Sequence, residues 1–118
     1  MKILIVDDST ANNILLENLF SSYGYDSYSL LEGDSVLETI KTYNPDIIIL
    51  DIMMPGLTGF DILKQLKEHS ISTPTVILTA YKNNSYEKQA KELGAIEYFS
   101  KPFNQEELIK TIKEITSK

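Results

Sequence analysis

Three short stretches of this chain, Ile3–Val6, Ile47–Leu50 and Val76–Leu78, are apolar at every position and rich in β-branched side chains. Runs of three or four residues are too short for helices, and their composition marks them as strands. A strand with no polar alternation must be buried on both faces. These three therefore belong at the centre of a parallel sheet covered by helices. Two more polar candidates, Tyr25–Leu30 and Ile96–Ser100, are assigned to the sheet edges.

Helical patterns fill the intervals. Thr10–Tyr23 carries Ile14, Leu15, Leu19 and Phe20 as its apolar set, Asp34–Tyr43 carries Val36, Leu37 and Ile40, and Phe60–His69 carries Phe60, Leu63 and Leu66. Asn104–Thr116 presents Leu108, Ile109, Ile112 and Ile115, with Asn104 and Glu107 spaced as a capping box. The segment Ser85–Leu93 has only Tyr86, Ala90 and Leu93 on its stripe, with Gly94 placed as a left-handed C-terminal stop. Its thin apolar face makes it the most mobile of the five by expectation. The order βαβαβαβαβα predicts an open, doubly wound α/β sandwich, with right-handed crossovers placing helices on both faces. At 118 residues the whole chain is read as one domain, residues 1–118.

In such a sheet ligands collect beyond the carboxyl ends of the strands. Asp7 and Asp8 follow the first strand, Asp51 the third, Thr79 and Ala80 close the fourth, and Lys101-Pro102 follows the fifth. If the first and third strands are neighbours, ~4.8 Å apart, their terminal carboxylates converge and repel unless a cation joins them. Oxygen ligands without His or Cys suit Mg²⁺, Mn²⁺ or Ca²⁺, with Mg²⁺ preferred because it takes one or two carboxylates together with phosphate oxygens. One carboxylate can then act as a nucleophile that forms an acyl phosphate, with the cation and Lys101 stabilising the transferring phosphoryl group and Thr79 donating a hydrogen bond to it. Alone, Asp7-Asp8 would pass as turn residues and Thr79 as a strand former. Their joint position gives them weight.

The pieces Ile-Val-Asp7-Asp8, Asp51-Ile-Met-Met-Pro55-Gly56-Leu-Thr-Gly59, Leu-Thr79-Ala80 and Lys101-Pro102-Phe103, in this order and each behind a strand, resemble the response-regulator receiver domain of two-component signalling. The likeness is to the single-receiver, chemotaxis-regulator type and spans essentially the whole chain. It implies a flavodoxin-like fold with strand order 2-1-3-4-5. It also implies Asp51 as phosphoacceptor, Asp8 as a direct Mg²⁺ ligand, Asp7 acting mainly through water, and the Met53 carbonyl as a further ligand. Thr79 and Lys101 would hold the phosphoryl group, Tyr98 would be the aromatic switch, and Lys101–Pro102 a cis peptide. By the same resemblance, Met53 and Tyr81 would fall at positions that vary in the family and tune the phosphoryl lifetime. The donor would be a sensor histidine kinase or phosphotransfer protein, and the output an unidentified partner protein bound through the fourth helix, fifth strand and fifth helix. The protein would act as a monomer or as a phosphorylation-dependent dimer. It would not be an enzyme beyond catalysing its own phosphorylation and slow autodephosphorylation.

Other classes fit less well. Eleven Lys+Arg against 17 Asp+Glu leave a net charge of −6, which argues against a direct nucleic-acid partner. The absence of cysteine removes thiolate chemistry and fits a cytoplasmic location. No apolar run suits a signal peptide or a membrane span. There is no Gly-x-x-x-x-Gly-Lys loop, and Asp-Ser-Thr after Asp7 differs from the Asp-x-Asp-x-Thr start of haloacid-dehalogenase-like phosphatases. Two aspartates after the first strand would repel the phosphate of a flavin cofactor. The lone His69, near a helix end, is read as an exposed partner of the helix dipole. Met1 beside the first strand favours a natural N-terminus, and with it a stand-alone receiver or a regulator fragment over the receiver of a hybrid kinase.

Overall fold

The computed structural model describes residues 1–117. Lys118, the last residue of the expected domain, lies outside the described residues. The elements alternate as expected: β1 (Lys2–Val6), α1 (Thr10–Ser22), β2 (Asp26–Leu30), α2 (Val36–Tyr43), β3 (Ile47–Leu50), α3 (Gly59–Glu68), β4 (Thr75–Thr79), α4 (Asn84–Glu92), β5 (Glu97–Ser100) and α5 (Gln105–Thr116). All pairings are parallel, in the order β2-β1-β3-β4-β5. The apolar strands β1, β3 and β4 are central and the polar ones form the edges. No helix among the described residues is long and apolar enough to cross a membrane.

Alternation along the central strands builds two cores. Leu4, Val6, Ile48, Leu50 and Ile77 face α2, α3 and α4, while Ile3, Ile5, Ile47, Ile49, Val76 and Leu78 face α1 and α5. Each fully buried Ile or Leu of this kind contributes about 1.5–3 kcal/mol, so the sheet that carries the strand ends is the best-anchored part of the molecule.

One helix face differs from expectation. Ile14 and Leu15 are 52% and 44% exposed, and α1 packs instead through Asn13, Leu16 and Phe20. Ile14, Leu15 and Leu16 are consecutive, so only one of them can face the sheet. Asn13 takes the inward position below Leu16 because its Nδ2 donates to the Asp7 carbonyl at 3.0 Å. The other boundaries agree to within two residues, and β3 matches without a shift. The Asn104 side chain caps α5 through the Glu107 N–H at 3.0 Å, but the two-way capping box is found at α3, between Thr58 and Asp61. Gly94, at φ 110°, closes α4 as expected, with Ala95 N–H returning to the Ala90 carbonyl and Gly94 N–H to that of Lys91.

Gly59 starts α3 where only glycine fits. Its N–H donates to the Ile52 carbonyl at 2.7 Å, and a Cβ there would overlap the Asp51 carbonyl oxygen and lie 2.7 Å from Ile52 Cα. The first turn of α3 is thus seated on the peptide that carries Asp51. Gly59→Ala must push this turn away from β3, so urea unfolding should show a loss of about 1–3 kcal/mol.

Candidate functional site

The sheet register brings the site together. Val6 pairs with Leu50, and the ladder runs one step further through Asp51 N–H to the Val6 carbonyl at 2.9 Å. Asp7 and Asp51 therefore leave adjacent strands at the same level. Across the sheet, Thr79 pairs with Ser100, and the Lys101 N–H donates to the Thr79 carbonyl at 2.7 Å. Asp7, Asp8 and Asp51 each offer a carboxylate oxygen to a cluster whose atoms all lie within 4.8 Å of one another. Asp7 and Asp51 are buried, at 2% and 7% exposure, while Asp8 is exposed at the mouth. The structure thus gathers every strand-end residue named from the sequence.

Lys101 does not divide itself equally. Its Nζ lies 2.6 Å from Asp7 Oδ2 and 3.7 Å from Asp51 Oδ2. Asp7 is further held by the Ser9 N–H on Oδ1 and the Asn12 Nδ2 on Oδ2, both at 2.9 Å. Asn12 and Asn13 were not identified from the sequence. Their signal was their place in the first turn of a helix that starts directly behind the aspartates. Asp51 has less support: the Met53 N–H reaches its Oδ1 at 3.3 Å. Burial lifts the Asp51 carboxyl above its ordinary range and the Asp7 charge pushes the same way. The Thr79 hydroxyl, Lys101 and the Met53 N–H oppose this without cancelling it.

Three carboxylates and one ammonium carry a formal −2, and a divalent cation brings the sum to zero. The donor set is all oxygen, which suits a hard cation such as Mg²⁺. The residues present therefore fit the ion that the sequence implies.

Thr79 and Tyr98 converge on one residue. Thr79 Oγ1 accepts from the Tyr81 N–H at 3.4 Å, and the Tyr98 hydroxyl donates to the Tyr81 carbonyl at 2.6 Å. Burial, with Glu87 and Asp51 nearby, raises the Tyr98 phenol above its usual value, so it remains a donor. The Lys101–Pro102 peptide is cis. His69 is exposed and caps α3, with its Nδ1 2.9 Å from the Gln65 carbonyl, well away from the carboxylates in the fold.

Residues 3–113 match the family model of the response regulator receiver domain. The chain is 37% identical over 112 residues to sporulation initiation phosphotransferase F of Bacillus subtilis, covering 95% of this chain and 90% of that protein. It is also 37% identical over 115 residues to the alkaline phosphatase synthesis transcriptional regulatory protein PhoP of Bacillus subtilis, covering 97% of this chain and 48% of that relative. The chain thus spans about half the length of this second relative. A solved structure described as a response regulator from Chloroflexus aurantiacus matches with a TM-score of 0.92 at 31% identity, covering 99% of this chain and 98% of that one.

The raised carboxyl of Asp51 sets a pH dependence. With metal removed by a chelator, the unfolded chain ionises Asp51 near 3.8, while the folded chain keeps its proton to higher pH. Native stability therefore falls as pH rises through that interval and stays lower above it. Asp51→Asn should melt at a higher temperature than wild type at neutral pH, and the gap should close as the pH drops below the ordinary carboxylate value.

Proposed function

This chain belongs to the response regulator receiver family of two-component signalling, and we propose that Asp51 is its phosphoacceptor, controlling the surface formed by α4, β5 and α5. The observation that carries this is the placement of Asp51: a buried carboxylate at the end of a central strand, crowded by Asp7 and Asp8, with Lys101 Nζ 3.7 Å away.

The donor is a phosphohistidine on a sensor kinase or phosphotransfer protein. An Asp51 carboxylate oxygen attacks phosphorus, the P–N bond breaks, and its electron pair stays on the imidazole nitrogen. A divalent cation, Mg²⁺ by preference, would be held by Asp8, Asp51 and the Met53 carbonyl and would supply positive charge for the phosphoryl oxygens. Asp7 has both oxygens engaged by Ser9, Asn12 and Lys101, which supports an indirect part in binding the ion. Lys101 and the Thr79 hydroxyl hold the phosphoryl oxygens. As Thr79 moves toward them it draws in the Tyr81 peptide, which Tyr98 also holds, and α4 follows.

The exposed Leu15 lines a surface cavity of about 150 Å³ with Asn12, Lys101, Pro102, Phe103 and Gln105, and its neighbour in sequence, Ile14, is exposed as well. This apolar ground at the rim of the site suits the protein that delivers the phosphoryl group.

A small acyl-phosphate donor with Mg²⁺ should label the wild-type chain with one phosphoryl group, read by intact mass. Equal labelling of Asp51→Asn would remove Asp51 from this role. Ile14→Asp with Leu15→Asp should take label from the small donor at the wild-type rate. Transfer from a phosphorylated kinase should fall at least tenfold, and unchanged transfer would place donor docking elsewhere.

A further inference from the structure

The site has a second connection to α4 that does not pass through Thr79. It begins where α3 is seated on the Asp51 peptide through Gly59. The next residue, Phe60, packs edge-on against Tyr86 of α4, with ring centroids 5.7 Å apart and planes at 76°. Tyr86 in turn meets Tyr81 at 6.3 Å and 61°. Tyr81 is the residue whose N–H and carbonyl are held by Thr79 and Tyr98. The run therefore starts at the peptide of Asp51 and ends on the loop after β4.

Little else fixes α4. Ala90 is its one fully buried residue. Toward its C-terminal end, a surface cavity of about 160 Å³ lined by Leu63, Leu66, Ile71 and Leu93 separates it from α3. Its Glu87–Lys91 pair is exposed and internal to the helix, so it does not anchor α4 to its neighbours. An edge-to-face aromatic pair is comparable in strength to the rest of such a thin interface.

We propose that the Phe60–Tyr86 contact is the pin that positions α4 on α3, and that it carries the state of Asp51 to α4 in parallel with Thr79. The second half rests on Asp51 being the phosphoacceptor, and the first does not.

Amide hydrogen exchange across residues 81–92 tests both halves in wild type, Phe60→Leu, Tyr86→Leu, the double variant and Tyr86→Phe. Without phosphate, each leucine variant should exchange about three- to tenfold faster in this segment. The double variant should be no faster than Tyr86→Leu alone, because the Phe60–Tyr86 contact is already lost in that single variant. Tyr86→Phe keeps the ring and should match wild type. Amides of β1 and β3 should keep their rates, which separates loosening of α4 from general destabilisation. Wild-type rates in the leucine variants, or effects that multiply in the double, would overturn the pin. After treatment with a small acyl phosphate and Mg²⁺, Phe60→Leu should take label as wild type does but lose at least half of the exchange change seen in α4. A full wild-type response would overturn the transmission. If wild type takes no label, the Asp51 assignment falls and the transmission with it, while the unlabelled comparison still decides the pin.

Discussion

Charge repulsion among Asp7, Asp8 and Asp51 is the constraint around which the rest is arranged. Three carboxylates within 4.8 Å would separate if they stood on flexible loops. Two are fixed at the ends of β1 and β3, strands locked side by side by a fully buried apolar ladder. The third has its exposed position at the mouth as relief. Lys101, Asn12 and the Ser9 N–H satisfy Asp7, which leaves Asp51 as the under-compensated member. Asp51 is thus the carboxylate whose burial and charged neighbours are least offset, and any further negative charge placed there calls for a cation beside it.

Rigidity and freedom are divided across the same sheet. The strands that hold the carboxylates are buried on both faces, and the layer formed by α1 and α5 presents six strand residues with a continuous apolar surface. On the opposite layer α4 contributes a single fully buried residue. A change at the strand ends therefore has fewer buried contacts to overcome at α4 than at α1, α3 or α5. Weak burial thus leaves α4 lightly held without any hinge sequence.

The architecture was legible because an unbroken apolar strand has only one stable environment, and three such strands fix the centre of a parallel sheet. The site was legible for a related reason: a parallel sheet delivers all its strand ends to one side, so scattered residues such as Asp7, Asp51 and Lys101 become neighbours. Helix phase was harder to read. Three consecutive apolar residues, Ile14 to Leu16, left the inward side of α1 undetermined, and the decisive residue, Asn13, is polar. The cap of α3 was missed because Thr58 and Asp61 form the box with an aspartate in place of the usual Glu or Gln. The preference of Lys101 for Asp7 over Asp51 depends on the reach of a flexible side chain, which spacing along the chain does not encode.

Tyr81 adds a point about which changes a lineage can tolerate. Thr79 and Tyr98 hold it through its N–H and its carbonyl, groups that almost every amino acid possesses. Exchanging the side chain at 81 therefore leaves these two hydrogen bonds in place, although it removes the ring that meets Tyr86. Proline alone, lacking the N–H, cuts one of them. The main-chain junction at 81 is thus indifferent to the side chain it carries, whereas the contact with Tyr86 is not, so substitutions at this one position separate the two links to α4.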